Sequence, residues 1–233
     1  MLDQPVFEAE YAERRSRLTT FFRLLLALPH YVGVFVGAVI AFVAVVIAWF
    51  SIVLTGQYPE GLYGYVAGFQ RYATAVYGYI ALLTDDYPPF SLDPAGYPVQ
   101  LRIPPRKAEY NRMKTLFRII IGIPVMIILY AMQIVWEVGW FLAWFVILVT
   151  GKQPKGLQDM IVLGLSYQQR AYCYLYLLTE DWPPFTSPQG GTVEGPAGGS
   201  PLPPAPPTMP APSSPEAPGA TGDGISSGDP LAR

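Results

Sequence analysis

Two long apolar blocks dominate the pattern along the chain. Phe21–Leu54 contains one charged residue, Arg23, and Tyr31–Leu54 contains none. Phe117–Thr150 repeats the pattern, interrupted in its middle by Gln133 and Glu137. About 20 apolar residues cross the hydrocarbon core of a bilayer, so both blocks predict long membrane helices. Each is preceded by a basic amphipathic lead-in and is punctuated early by Pro29 or Pro124, where a proline ring removes a backbone donor and predicts a kink or break. Trp49 and Trp144 fall about one turn from the far ends, the depth at which amphipathic rings favour a membrane interface. A T-G-x-x-P-x-G turn follows in both cases.

A second helix is predicted after each turn, over Leu62–Leu83 and Leu157–Leu178, with D-[YW]-P-P-F as its stop signal. In the first of these, Leu62, Val66, Phe69, Ala73, Val76, Ile80 and Leu83 form one stripe, while Tyr65, Tyr72 and Tyr79 form another. Gly64, Gly68, Ala75 and Gly78 make a small-residue stripe suited to close packing. Its counterpart is more polar, with Asp159, Gln168, Gln169 and Arg170, and suits either a span or the interface plane.

The repetition is a duplication. Arg17–Ser91 aligns with Arg112–Thr186 without a gap, and 25 of the 75 pairs are identical. LLTDDYPPF at Leu82–Phe90 returns as LLTEDWPPF at Leu177–Phe185. A removable leader does not recur 95 positions later, so the first block is expected to stay in the mature protein. The organisation expected is an N-terminal segment (1–16), a first membrane repeat (17–91), a basic linker (92–111), a second repeat (112–186) and a tail (187–233). From Thr186 the chain has 12 prolines in 48 residues, a composition that cannot bury a core and predicts a disordered spacer.

Charge placement turns this into a topology. Arg14, Arg15 and Arg17 precede the first block, and Arg102, Arg106, Lys107, Arg112 and Lys114 the second, which places both lead-ins in the cytoplasm. The fold class expected is therefore an all-α, multi-pass protein of the bacterial inner membrane, with 2 + 2 membrane helices and both termini cytoplasmic. Lys152 and Lys155 on the turn expected outside pull the other way. They support a second arrangement, in which each 34-residue block is a non-spanning hairpin bent near Gly33 and Gly37; a straight helix of that length runs near 50 Å, too long for one span.

Composition fits membrane residence: 52% hydrophobic, 14% charged, mean hydropathy +0.30. The single cysteine, Cys173, carries no disulfide information, and the net charge of −2 carries little. Ionisable groups at bilayer depth are costly and are paired or functional. Glu137 lies 13 residues before Thr150 and Arg170 lies 13 after Leu157, so antiparallel neighbours place them at one depth as an ion pair, with Gln133 and Arg71 extending the network. A structural salt bridge and a substrate, ion or proton site are both open readings of that set. The first copy holds Phe42 and Ala75 at the positions of Glu137 and Arg170.

Arg14, Arg15, Arg17, Arg23, Arg112, Lys114 and Arg118 are expected to meet anionic lipid headgroups at the membrane interface. His30 reads as a solvated interfacial residue, Asp85, Asp86, Glu180 and Asp181 as solvated helix ends, and Gly33 with Gly37 as a weak dimer face. No nucleotide-binding loop, catalytic triad, metal cluster or nucleic-acid motif is present, so no enzyme, cofactor, metal or nucleic-acid partner is expected.

RRSRLTTFFRLLLALPHY, AWFSIVLTGQYPEGL and LLTDDYPPFSL resemble a bacterial membrane family, the domain of unknown function DUF4389. The resemblance covers Phe7–Leu92 closely and Arg112–Thr186 more loosely, and it implies no activity. The expected role is a non-enzymatic scaffold or accessory subunit of a membrane complex, with a membrane-protein partner or a homo-oligomer. A small transporter, channel or lipid-handling protein is the alternative.

Overall fold

The computed structural model describes residues 4–184. In chain order it contains β1 (Val6–Ala9), α1 (Arg17–Leu26), α2 (Leu28–Thr55), α3 (Glu60–Ile80), β2 (Val99–Arg102), α4 (Arg112–Leu116), α5 (Arg118–Thr150) and α6 (Lys155–Leu175). The tail expected to be disordered lies outside the described residues.

Both predicted pairs of long helices form. α2 and α5 are long and apolar enough to cross a membrane, and among the described residues they alone are; α3 and α6 fall short of that standard of length and hydropathy. The lead-in breaks from α2 at Ala27, which leaves Pro29 in the first turn, where its missing N–H has no helical partner to lose. In the second copy the break comes earlier, at Phe117, and Pro124 sits inside α5.

α3 and α6 stop before their predicted ends, and proline is not the cause. Leu82 and Leu177, at matching positions, adopt left-handed backbone with φ of 66° and 63°. Leu83 N–H then reaches back to Gly78 O at 3.0 Å and Leu178 N–H to Cys173 O at 2.9 Å, the wrapped bond of a Schellman motif. That conformation costs a non-glycine residue about 1–2 kcal/mol. Burial holds it in place, since both leucine side chains sit in the core.

The all-helical expectation needs one correction. β1 and β2 pair antiparallel with Val6 opposite Arg102 and Ala9 opposite Val99. Both strands fall in segments where the sequence offered only four residues of alternation, and a two-stranded ribbon is marginal without a surface to pack on. Here the surface is α3 and α6. A Cβ on Gly78 would meet Val99 at 2.6 Å, and one on Gly68 would meet Leu92 at 3.0 Å, so the small-residue stripe of α3 receives the linker.

α3 and α6 run antiparallel across one another, joined at mid-length by Gln70 Nε2 donating to Gln169 Oε1 at 2.6 Å. Tyr58, just before α3, reaches Tyr176 O beyond α6, while Arg15 bonds both Leu83 O after α3 and Gln153 before α6. The order of layers follows: α2 and α5 on one side, α3 and α6 in the middle, and the ribbon and linker on the other side. Two-thirds of the residues of α3 are buried, with Tyr63, Val66, Gly68, Gln70, Tyr72 and Ala75 among them.

Candidate functional site

The outer layer exposes apolar side chains on a scale that water does not tolerate in a monomer. In α2 the buried stripe is narrow: His30, Ala41, Ala44, Ala48 and Ile52. Phe35, Val39, Phe42, Val43, Ile47, Phe50 and Leu54 all face out, Phe35 at 70% and Leu54 at 72% exposure. α5 repeats this with Ile119, Ile123, Ile127, Tyr130, Phe141 and Phe145, and α1 extends it with Leu18, Phe21 and Leu25. Trp49 is tied by its indole N–H to Thr115 O at 3.0 Å, which fixes α4 against the end of α2.

The basic residues divide into two groups. Arg15, Arg23 and Arg118 are buried and serve helix ends, contrary to the expectation that they face headgroups. Arg23 donates to Tyr79 O, Thr84 O and the Asp85 carboxylate and lies 4.6 Å over the Tyr79 ring. Arg118 donates to Thr179 O and stacks 3.7 Å over Tyr174. Carbonyls left free at the ends of α3 and α6 carry the negative pole of each helix, and a guanidinium satisfies both their charge and their hydrogen bonds. Burial pushes Arg15 and Arg23 below the ordinary arginine range, with Asp85 acting in the opposite sense. Arg14, Arg17, Arg112 and Lys114 are exposed, as a headgroup contact requires.

The acidic pairs likewise do more than solvate helix ends. Asp85 Oδ2 accepts Ser16 N–H at 2.9 Å, and Glu180 Oε1 accepts Asn111 N–H at 2.7 Å. Ser16 and Asn111 are themselves the N-caps of α1 and α4, bonding Thr19 and Lys114. Each lead-in is thus latched to the end of its own unit.

The expected ion pair does not form. Glu137 is exposed on α5 and accepts from Gln133, whose Nε2 donates to Oε1 at 2.9 Å. Arg170 is buried in α6 and donates to Ser166 O and Ser166 Oγ, both at 3.1 Å. Arg71 lies 4.0 Å from Asp93 on the opposite side of the molecule, beside the linker. The inward stripe of α5 runs through Val125, Leu129, Trp136, Gly139, Ala143 and Ile147, and one residue beyond Trp136 the helix has turned about 100°, which carries Glu137 outward.

His30 is also corrected. It is fully buried, with Nδ1 2.8 Å from Tyr72 Oη and its ring stacked 4.0 Å from Phe90. Gly33 and Gly37 pack inward too, since a Cβ would meet Tyr72 Oη at 2.8 Å and Phe69 at 2.7 Å. They are spent on the α2–α3 contact rather than on a dimer face. Among the described residues no three His, Cys, Asp or Glu side chains are placed to hold a metal ion.

The two copies also exchange contacts. Arg15 N–H donates to Gly151 O at 3.1 Å, and Tyr110 N–H, at the position equivalent to Arg15, donates to Gly56 O at 2.9 Å, at the position equivalent to Gly151. Arg17 covers Gly151 as Arg112 covers Gly56. Such reciprocity is the signature of a two-fold interface, here between halves of one chain. The model of a domain of unknown function matches the same two halves, at residues 17–91 and 112–187. The chain belongs to the DUF4389 family. No curated protein and no solved structure matches it.

In this tandem DUF4389 fold the second half of α2 and the first half of α5 frame an apolar groove of about 530 Å³. Phe42, Val46, Trp49, Ile123 and Met126 contribute to its walls, and Arg118 is the one charged residue in its lining. Sequence reading missed the groove, because it is made by two helices whose adjacency depends on how the halves cross. The latch residues Ser16 and Asn111 had a signal, since both stand where an N-cap belongs ahead of a periodic apolar run.

Proposed function

We propose that this protein is a membrane-bound, non-enzymatic scaffold whose α1, α2 and α5 layer lies in the plane of one leaflet, with the ribbon facing the cytoplasm. The observation that carries this reading is the place of the ribbon. Val99 sits against Gly78 near the end of α3, and Pro104 O accepts from Tyr63 Oη near its start, so β2 and the residues just after it run along most of the helix. Midway along this segment the Glu8–Arg102 ion pair, at 3.0 Å with Arg102 exposed and Glu8 half-buried, lies on the face opposite the apolar layer. Upright helices bring that pair to bilayer depth, where charge is expensive. Helices lying flat leave it in water and bury the apolar layer, as interfacial helices do. The same orientation puts Lys152 and the basic lead-ins on one side of the membrane, which removes the conflict over positive charge.

Scaffolding is favoured over transport because the polar groups that were candidates for a path are dispersed. Glu137 faces out from α5, Arg170 is bonded within α6, and Arg71 lies beside the linker.

The test uses Gln57→Cys and Lys152→Cys, exposed positions at opposite ends of the helices, with the buried Cys173 left in place. A membrane-impermeant maleimide is applied to vesicles of either orientation. Modification of both from the same side supports the in-plane reading, and modification from opposite sides rejects it.

A further inference from the structure

We infer that the groove between α2 and α5 holds one acyl chain of an anionic phospholipid whose phosphate pairs with Arg118. This deepens the membrane reading above and rests on it.

Comparison of the two halves gives the argument. Arg23 and Arg118 are equivalent residues, both buried, both over a tyrosine ring and both bonded to carbonyls beyond a helix end. Arg23 has a carboxylate, Asp85. In the second half the equivalent carboxylate, Glu180, is drawn off by Lys107 at 3.2 Å and by Asn111 N–H, and no described carboxylate lies within salt-bridge distance of Arg118. Nε is buried without a hydrogen-bond partner in both arginines, so the missing carboxylate contact is what sets Arg118 apart. A buried guanidinium with an open donor, and a carboxylate that acts on it only from beyond contact as Glu180 does, is a costly arrangement unless an anion completes it.

Arg118 lines the groove, so the anion that reaches it comes from there. The remaining walls are apolar, which excludes a free phosphate or a polar metabolite and selects an amphiphile. A volume of about 530 Å³ lies within the range of small-ligand clefts, roughly 300–1,000 Å³. The groove opens on the same layer that the membrane reading immerses in lipid, so a chain enters from the leaflet without crossing water. α4, fixed to the groove wall through Trp49 and Thr115, sets the exposed Lys114 at the same end and adds attraction for a negative headgroup.

The other half is built differently. At the positions of Phe42, Val46 and Met126 it carries Glu137, Phe141 and Tyr31, and its arginine is already neutralised by Asp85. One site per chain is therefore expected, with no second one at Arg23.

The experiment is native mass spectrometry of the full chain, purified in mild detergent and exchanged with phosphatidylglycerol or phosphatidylcholine vesicles. Wild type is expected to retain one phosphatidylglycerol per chain, preferred roughly tenfold over phosphatidylcholine, as one hydrogen-bonded charge pair implies. Val46→Trp, which fills the groove from an exposed position, should lose both lipids while unfolding at the wild-type denaturant concentration. Arg118→Met should keep a lipid and lose the preference. Arg23→Met serves as the control, and its preference should stay at the wild-type value.

Absence of retained lipid on wild type, unchanged retention in Val46→Trp, or unchanged preference in Arg118→Met overturns the site. If Arg118→Met fails to fold, Val46→Trp alone decides. Flotation of the same preparations with vesicles separates the two readings. A chain that floats but retains no lipid refutes the groove and keeps the membrane reading, whereas one that retains lipid but does not float does the reverse.

Discussion

Arg23 and Asp85 close an ion pair at the end of α3, while their counterparts Arg118 and Glu180 at the end of α6 stand apart. The two halves share one fold and one capping device, yet only one of them neutralises its guanidinium internally. Asp85 carries two duties, since it also accepts Ser16 N–H and so latches α1.

Asp85→Ala is expected to destabilise the protein by about 2–3 kcal/mol. The range for breaking a buried pair is about 3–5 kcal/mol, and Asp85 is 27% exposed, so solvent screens part of the loss. Glu180→Ala, which breaks a pair with the exposed Lys107 and the hydrogen bond from Asn111 N–H, should cost about 1–2 kcal/mol. Denaturant unfolding in one detergent checks both, and equal costs would contradict the asymmetry.

Leu82 tests whether burial or backbone strain governs the end of α3. Glycine at this position relieves about 1–2 kcal/mol of left-handed strain. It also deletes a fully buried leucine, at about 2–5 kcal/mol for such a truncation. The net expectation for Leu82→Gly is a loss of about 2 kcal/mol, and the same for Leu177→Gly. A gain in stability at either site would mean that the side chain contributes little.

Gly37 distinguishes packing within the chain from packing between chains. A Cβ there meets the Phe69 ring at 2.7 Å, so Gly37→Leu overpacks the α2–α3 contact, at about 1–3 kcal/mol or more. The unfolding midpoint should fall, with the mass measured by light scattering unchanged while the protein is folded. A lowered oligomeric mass at wild-type stability would restore a dimer face.

What the sequence made legible follows period and composition. The apolar blocks, the turns and the exact span of the duplication are written in residues a few positions apart, and α2, α3, α5 and α6 stand where they were expected. The crossing of the halves was not legible. Gln70 and Gln169 meet across 99 positions, and nothing local to either indicates the other. That crossing decides that Gly68 and Gly78 receive a linker rather than a helix, and it creates the groove at Arg118. The Glu137 and Arg170 pairing failed because depth along a helix was used without its rotation. Both residues have plausible heights, but Glu137 leaves α5 on the outer side while Arg170 bonds back to Ser166.

Gln169 is the polar centre of that crossing, with its Oε1 accepting from Gln70 at 2.6 Å and from Thr74 Oγ1 at 3.2 Å. Gln169→Leu should cost about 1–3 kcal/mol, since Gln70 is left buried with unmade hydrogen bonds. The double variant Gln70→Leu with Gln169→Leu should cost less than the sum of the singles, because both partners are removed together. A double-mutant cycle showing additive losses would mean that the two amides do not interact.

Glu137→Gln separates the outward placement from the ion pair that sequence spacing suggested. The carboxylate is exposed and its partner Gln133 is a neighbour one turn away, so the substitution keeps a hydrogen-bonding side chain and removes only a charge. Stability in detergent should move by no more than about 0.5 kcal/mol, as for surface changes away from a buried network. Binding to vesicles should hold or strengthen, because a charge in the apolar layer opposes immersion. A loss of several kcal/mol, rescued by Arg170→Gln, would mean that the two residues pair after all and that α5 is rotated so that Glu137 faces α6.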